Sequence, residues 1–317
     1  MATNFEDIPN EIILQEIYSY FSLKELYRIF YDLNQRFRDI IRLTTYLKFE
    51  VNNETINDQI LTVFQSTIAH LTICFGNFDI NRFTNVRVLI LKYPSLKQRN
   101  AIRPEILPYL TSLKLSYPIE DKDLLNIIFS GRFPHLRKCE FDRILTDDKW
   151  SGAPEFRSVS VSVSGKYGII SLLRACPNLS RLTIIVYPEM ETNSILLKYS
   201  ISCPNHFTQL QYLFIRSSFD IFIGILKLMS NLKSLIFDDI SNGSFFDYTI
   251  DHFKSLKGIL QNFHQLSYIR FTFNGLLDIL KDSLLSIHSL LRYISPVCFS
   301  ICTVISSHPI SNDHNNF

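Results

Sequence analysis

The side chains that could do chemistry in this 317-residue chain are scattered along it. Its eight histidines, His70, His135, His206, His252, His264, His288, His308 and His314, are dispersed, and none stands in the His-Glu-x-x-His spacing that places two ligands and a base on one helix face. The six cysteines sit at positions 74, 139, 176, 203, 298 and 302 and form no Cys-x-x-Cys pair. Cys298 and Cys302 lie close together but have no histidine at zinc-finger distance. There is no Gly-x-Ser-x-Gly elbow and no phosphate-binding glycine loop. Asp147 and Asp148 are neighbours in a lysine-flanked loop, so their carboxylates diverge, and they read as a solvated turn. Trp150 reads as a packing residue. No metal, cofactor or catalytic role is expected, and function is expected to lie in surfaces that hold other macromolecules.

Composition narrows the partners. Hydrophobic residues are 46% of the chain and charged residues 20%, which is globular rather than disordered. Thirty-two basic residues against 30 acidic ones leave a net charge of +2, too little for a protein built to neutralise phosphates, so nucleic acid is not an expected partner. Scattered cysteines read as reduced, buried small hydrophobes, consistent with cytoplasm or nucleus. The start, residues 1–13, carries three acids and no basic segment before its apolar stretch, unlike a secretory signal. Residues 294–305 are apolar but short of the roughly 20 residues a membrane span needs, and Pro296 interrupts them. No membrane association is expected.

The elements that must carry such surfaces begin with residues 5–42, which read as three short helices. Asp7 and Pro9 open the first, Ser22 and Glu25 form a capping box for the second, and Asn34 opens the third. On a helical wheel, Ile13, Leu14, Ile17, Tyr18, Tyr20 and Phe21 fill an arc of about 160°, and Ile8 with Ile12 makes a separate apolar strip. One core needs a stripe of only a little over 100°. About forty residues cannot hide both surfaces by themselves, so this module must lean on something else.

Ile8-Pro9, Glu11, Ile12, Leu23, Leu26 and the basic–aromatic pair Arg36-Phe37 give this segment its order and spacing, and in both it resembles the F-box. Ile8 stands where Leu is commoner, Phe37 where Trp is frequent, and Leu33-Asn34-Gln35 replaces a usual Val-Cys stretch; apolar character is kept at the key places. The resemblance covers about 40 residues. It implies docking to the small adaptor of SCF-type cullin–RING ubiquitin ligases through Ile8, Pro9, Ile12, Ile13, Ile17, Leu23, Leu26, Phe30 and Phe37, and through that adaptor to a cullin. The other reading is a helical cap over the open end of a solenoid.

The central part of the chain repeats. A three-anchor pattern, apolar-x-x-apolar-x-apolar, recurs nine times: Ile68/Leu71/Ile73, Val86/Leu89/Leu91, Leu110/Leu113/Leu115, Leu136/Cys139/Phe141, Phe156/Val159/Val161, Leu179/Leu182/Ile184, Leu210/Leu213/Ile215, Leu232/Leu235/Phe237 and Leu266/Ile269/Phe271. First anchors are 18, 24, 26, 20, 23, 31, 22 and 34 residues apart. Between them, residues 121–130, 166–175, 219–229 and 251–263 place apolar side chains at three- and four-residue spacing, as helical arms do. Spacing near 24 and alternating strands resemble irregular leucine-rich repeats, without the regular asparagine of that family.

The expected fold is α/β: a three-helix F-box over residues 1–50, then a curved leucine-rich-repeat solenoid over 51–275 with parallel strands on its concave face. A C-terminal capping helix region over 276–306 and a disordered tail over 307–317 complete it. Residues alternating with the anchors point to the concave face. There the late coils gather Arg181, Tyr212, Phe214, Arg216, Tyr268 and Arg270, residue types that anchor protein interfaces. These are expected to hold a protein target; ordinary strand residues on a solvated face are the alternative. The expected function is a non-catalytic, substrate-recruiting ligase subunit, against a plain leucine-rich-repeat interaction scaffold with no ligase role.

Overall fold

The computed structural model describes residues 8–44, 47–51, 58–145, 150, 154–164, 166–187, 209–239, 255–256, 258–274 and 299–304. The first helical stretch, α1 (residues 10–20), starts directly after Pro9, whose lack of an N–H costs nothing there. It passes from an α turn, Asn10–Ile12, into a wide turn, Ile13–Ile17, in which the Tyr18 N–H reaches the Ile13 carbonyl. A tight turn, Tyr18–Tyr20, closes it. The second stretch, α2 (residues 23–31), joins Leu23–Leu26 to a wide turn, Tyr27–Tyr31. Its capping box forms as the sequence requires: the Glu25 N–H donates to Ser22 Oγ, and the Ser22 N–H donates to the Glu25 carboxylate at 2.7 Å. The third, α3 (Gln35–Leu43), is capped by Asn34, whose Oδ1 accepts the Phe37 N–H at 3.0 Å.

Strands and arms then alternate. They are β1 (Leu47–Val51), α4 (Asp58–Phe64), β2 (Ile68–Ile73), β3 (Val88–Leu91), α5 (Leu96–Asn100), β4 (Ser112–Ile119), α6 (Lys122–Phe129), β5 (Lys138–Ile144), β6 (Ser158–Ser164), α7 (Lys166–Ala175), β7 (Arg181–Tyr187), β8 (Tyr212–Ser217), α8 (Phe219–Leu226), β9 (Ser234–Asp239), β10 (Tyr268–Asn274) and β11 (Phe299–Val304). The chain divides into two compact units, residues 1–142 with 150–156, and residues 143–149 with 157–317. The helical module, the strands through β4 and β5 as far as Asp142 thus share a unit, and residue 50 lies inside it. In the first unit the strand order is β1-β2-β3-β4-β5, and β1 through β4 pair in parallel; in the second it is β6-β7-β8-β9-β10-β11, all parallel. The architecture is mixed α/β, with parallel strands in chain order and arms between them.

The anchor pattern accounts for the register. All nine triples are buried, and the strand pairs set anchor beside anchor: Leu71 with Leu89, Leu89 with Leu113, Leu182 with Leu213, Leu213 with Leu235, and Leu235 with Ile269. At six coil joints among the described residues one carbonyl takes two N–H groups from the next coil. Gln211 and Tyr212 donate to the Ser180 oxygen at 2.9 and 3.0 Å, Lys233 and Ser234 to Gln211, and Ser267 and Tyr268 to Lys233. The first unit does the same, with Arg137 and Lys138 donating to Thr111. The polar residue after a first anchor strengthens this joint: the hydroxyls of Thr111, Ser180 and Ser267 donate to the Arg87, Arg157 and Lys233 carbonyls, each of which also takes two N–H groups.

Three of the four arms appear where the spacing puts them, and of the fourth only 255–256 and 258–263 are described. Asp121 caps α6 by accepting the Leu124 N–H at 3.0 Å. Two strands escape the nine-fold pattern. β1 enters through a register irregularity between Leu47 and Lys48, so its anchors Leu47, Phe49 and Val51 alternate strictly and lack the three-residue first step. β11 pairs with β10 within the segment expected to be a capping helix region, because a short apolar run alone does not distinguish a buried strand from a buried helix. The rest of the capping helix region expected over residues 276–306 and the tail over 307–317 lie outside the described residues.

Leu235 is fully buried between Leu213 and Ile269. Leu235→Ala should therefore cost roughly 2–5 kcal/mol of stability, read as a lowered urea midpoint.

Candidate functional site

The helical module has an interior of its own. Ile13, Tyr18, Leu23, Leu26, Phe30, Phe37, Ile40 and Ile41 are buried, and Phe30 is its hub, with ring centroids 5.2 Å from Tyr18, 5.3 Å from Phe21 and 5.9 Å from Phe37. Arg36 ties the ends together: its guanidinium donates to the Ile8 carbonyl and to Asn10 Oδ1 at 2.7 and 3.0 Å, so the third stretch holds the entry to the first. The basic residue beside the aromatic thus clamps the Ile8-Pro9 corner.

Of the nine residues expected to dock an adaptor, Ile13, Leu23, Leu26, Phe30 and Phe37 lie in that interior. Pro9 and Ile12 are exposed, and Ile8 and Ile17 are half-buried. The apolar surface that remains outside is carried by Ile12 (46% exposed), Tyr20 (81%), Ile29 (46%) and Leu33 (58%). Ile29 and Leu33 escape a wheel drawn for the first helix alone; their four-residue spacing is the signal that finds them. The module also touches the first arm, where Tyr27 and Tyr31 meet the ring of Phe64 at the end of α4 in T-shaped contacts, 6.2 and 6.1 Å between centroids.

The second surface is the outward face of the second unit's sheet. Registers align Arg181, Tyr212, Ser234 and Tyr268 in one row. The next holds Thr183, Phe214, Ile236 and Arg270, and a third holds Ile185, Arg216, Asp238 and Thr272. All six residues expected to hold a target therefore share one face. Arg181 and Arg270 are exposed, while Tyr212, Phe214 and Tyr268 are half-buried. The Arg181 guanidinium lies over the Tyr212 ring at 4.8 Å, and Arg216 pairs with Asp238 at 3.4 Å. Two participants fall outside the six. Asp238 meets Arg216 through a pairing only the register makes visible, and Tyr187 at the end of β7 receives Arg143 at 4.8 Å.

The first unit's outward face is a mixed-charge surface. Lys114 and Lys138 both pair with Glu140, at 2.9 and 2.7 Å. Burial works to raise the Glu140 pKa, but the two lysine hydrogen bonds outweigh it and hold the carboxyl below its usual range. Burial lowers the His70 pKa, helped by Lys48 and opposed by Glu50.

Among the described residues no group of three His, Cys, Asp or Glu side chains is arranged to hold a metal, and no helix is long and apolar enough to cross a membrane. Cys74, Cys139 and Cys176 are buried, and burial pushes the Cys176 thiol far above its ordinary range.

No family model matches the sequence, and no curated protein matches it. A solved structure from Bacteroides fragilis, a structural-genomics target, is similar at 12% identity with a TM-score of 0.41. The match covers 75% of this chain and 66% of that one, a little under two thirds of its length.

The Tyr18 hydroxyl is buried with no hydrogen-bond partner among the described residues, and burial, opposed in part by Arg36, pushes its pKa up to about 12. The folded protein therefore keeps this proton to higher pH than the unfolded chain does. Stability from this group is complete below pH 10 and is lost between about pH 10 and 12. Tyr18→Phe should leave stability at pH 8 unchanged or raised and should flatten the alkaline decline, seen in urea midpoints measured from about pH 9 to 11.5.

Proposed function

We propose that this chain is the substrate-recognition adaptor of an SCF-type cullin–RING ubiquitin ligase. In this reading residues 8–44 are an F-box that docks onto the ligase's small adaptor. The parallel strands after it are an irregular leucine-rich-repeat solenoid, and its outward face holds a protein target. The chain itself performs no chemistry. It acts by proximity, holding a target near the charged conjugating enzyme in the cytoplasm or nucleus and so raising the effective concentration of the two reactants.

The observation that carries the reading is the apolar surplus of the module. Its interior is already filled by Ile13, Leu26, Phe30 and Phe37, and yet Ile12, Ile29, Leu33 and Tyr20 stand in solvent. Four large apolar side chains within about two dozen residues are more than an ordinary helical surface needs, and such surfaces mark interfaces. The Arg36 clamp on the Ile8-Pro9 corner supports it further, because it uses the residues that carry the resemblance.

One observation favours a second reading. Tyr27 and Tyr31 pack against Phe64, as the side chains of a cap on the first strands would. On that reading the chain is a repeat-based interaction scaffold without a ligase role, and the module binds nothing else.

Mixing the full chain with the purified adaptor separates the two. The ligase reading expects a complex at micromolar concentration or below. Ile12→Asp combined with Leu33→Asp should weaken it at least about 100-fold without lowering the melting temperature, because both side chains are exposed. Absence of any complex at about 50 µM (roughly −6 kcal/mol) rejects the ligase reading in favour of the scaffold.

A further inference from the structure

We infer that the outward face of β7–β10 binds an extended acidic segment of its target, two carboxylates about four residues apart with an aliphatic side chain between them. This rests on reading that face as the target-holding surface, and it names the chemistry the target must present.

The charges on the face do not balance. Across β7–β10 it carries Arg181, Arg216 and Arg270 against a single acid, Asp238. Arg216 spends its charge on Asp238. Arg181 and Arg270 are exposed, and among the described residues no carboxylate pairs with either. Arg181 is further prepared for a ligand: its guanidinium lies 4.8 Å from the Tyr212 ring centroid, an attraction that restrains it without pairing it to a carboxylate.

The spacing sets the ligand's length. Arg181 on β7 and Arg270 on β10 are three strand intervals apart and offset by two residues along the strands, about 16 Å at roughly 4.8 Å per interval and 3.3 Å per residue, a span that the long arginine side chains can narrow to an i/i+4 pair. In an extended peptide, residues i and i+4 are about 13 Å apart and point the same way, as does residue i+2 between them. Under residue i+2 lie Phe214 and Ile236, adjacent in register and half-buried, which offer an apolar floor. Asp238 beside them disfavours a third acid at that central position.

A nucleic acid would match the face less well. It presents phosphates at every nucleotide, whereas the two arginines without a carboxylate partner among the described residues stand far apart and the chain as a whole has a net charge of only +2.

The test is fluorescence anisotropy of the full chain with labelled nine-residue peptides in a serine–glycine background. One has two aspartates four residues apart around a leucine, one replaces the aspartates by asparagine, and one replaces them by lysine. A ten-nucleotide single strand is the fourth probe. The aspartate peptide should bind at least tenfold more tightly than the other three. Arg181→Glu and Arg270→Glu should each weaken it at least tenfold, and the double charge reversal should bind the lysine peptide instead. Lys227→Glu, exposed at the end of α8, should change nothing, and all variants should melt like the parent. If the asparagine peptide binds equally well and Phe214→Glu abolishes it, the face is a binding surface but the acidic inference is wrong. Preference for the oligonucleotide also overturns it. If no peptide binds and Phe214→Glu leaves the weak signals unchanged, the target-surface reading falls with it.

Discussion

At six coil joints among the described residues, the carbonyl of the residue after the first anchor accepts two N–H groups from the following coil, and the rest of the structure depends on that exchange. A strand of four to eight residues has no partner within its own coil for its backbone groups, and its anchors have nothing of their own to pack against. The shared carbonyl at Ser180, Gln211 and Lys233 fixes where the next strand starts, and so it also fixes which anchor lies beside which. A slip of one residue would turn Leu213 and Leu235 out to solvent and bring Phe214 and Ile236 inside. The hydroxyls of Thr111, Ser180 and Ser267 add a third bond at the same joint, where the regular asparagine of more uniform repeats is missing.

Both candidate surfaces are what this constraint leaves over. Once the anchors must point inward, the alternating residues of β7–β10 must point outward, whatever their chemistry. Arginines and aromatic residues placed there are consequently free to serve a partner without disturbing the core. The helical module obeys a different rule. Its interior is organised around Phe30 and closed by Arg36, and its wide turns at Ile13–Ile17 and Tyr27–Tyr31 alter the angular spacing of side chains along each helix. Residues that a regular wheel assigns to one arc are divided between the interior and solvent: Ile13 goes in while Tyr20 goes out.

How much was legible in advance varied with the strength of the local pattern. Where anchors recur with a three-then-two step, as in Leu179/Leu182/Ile184, the strand, its inward face and its outward residues could all be read off. Where the step is lost, as at Leu47/Phe49/Val51, or where the run is apolar throughout, as around Phe299–Val304, periodicity carried no distinction between strand and helix. The nine residues grouped as one docking set show the same limit. Type and spacing marked them together, but burial separated Ile13, Leu23, Leu26, Phe30 and Phe37 from Ile12.

The sequence by itself determined the anchors, the caps at Ser22, Asn34 and Asp121, and the alternation that sends Arg181, Phe214, Arg216 and Arg270 to one face. These are short-range properties, set by backbone geometry within a few residues. Only the tertiary structure decided that Arg216 meets Asp238, that Arg36 holds Ile8 and Asn10, and that Tyr18 buries its hydroxyl. Those contacts join residues of different coils or helices. Their partners depend on which strand lies beside which and at what offset, and that is settled by the packing of whole neighbours rather than by any local run of residues.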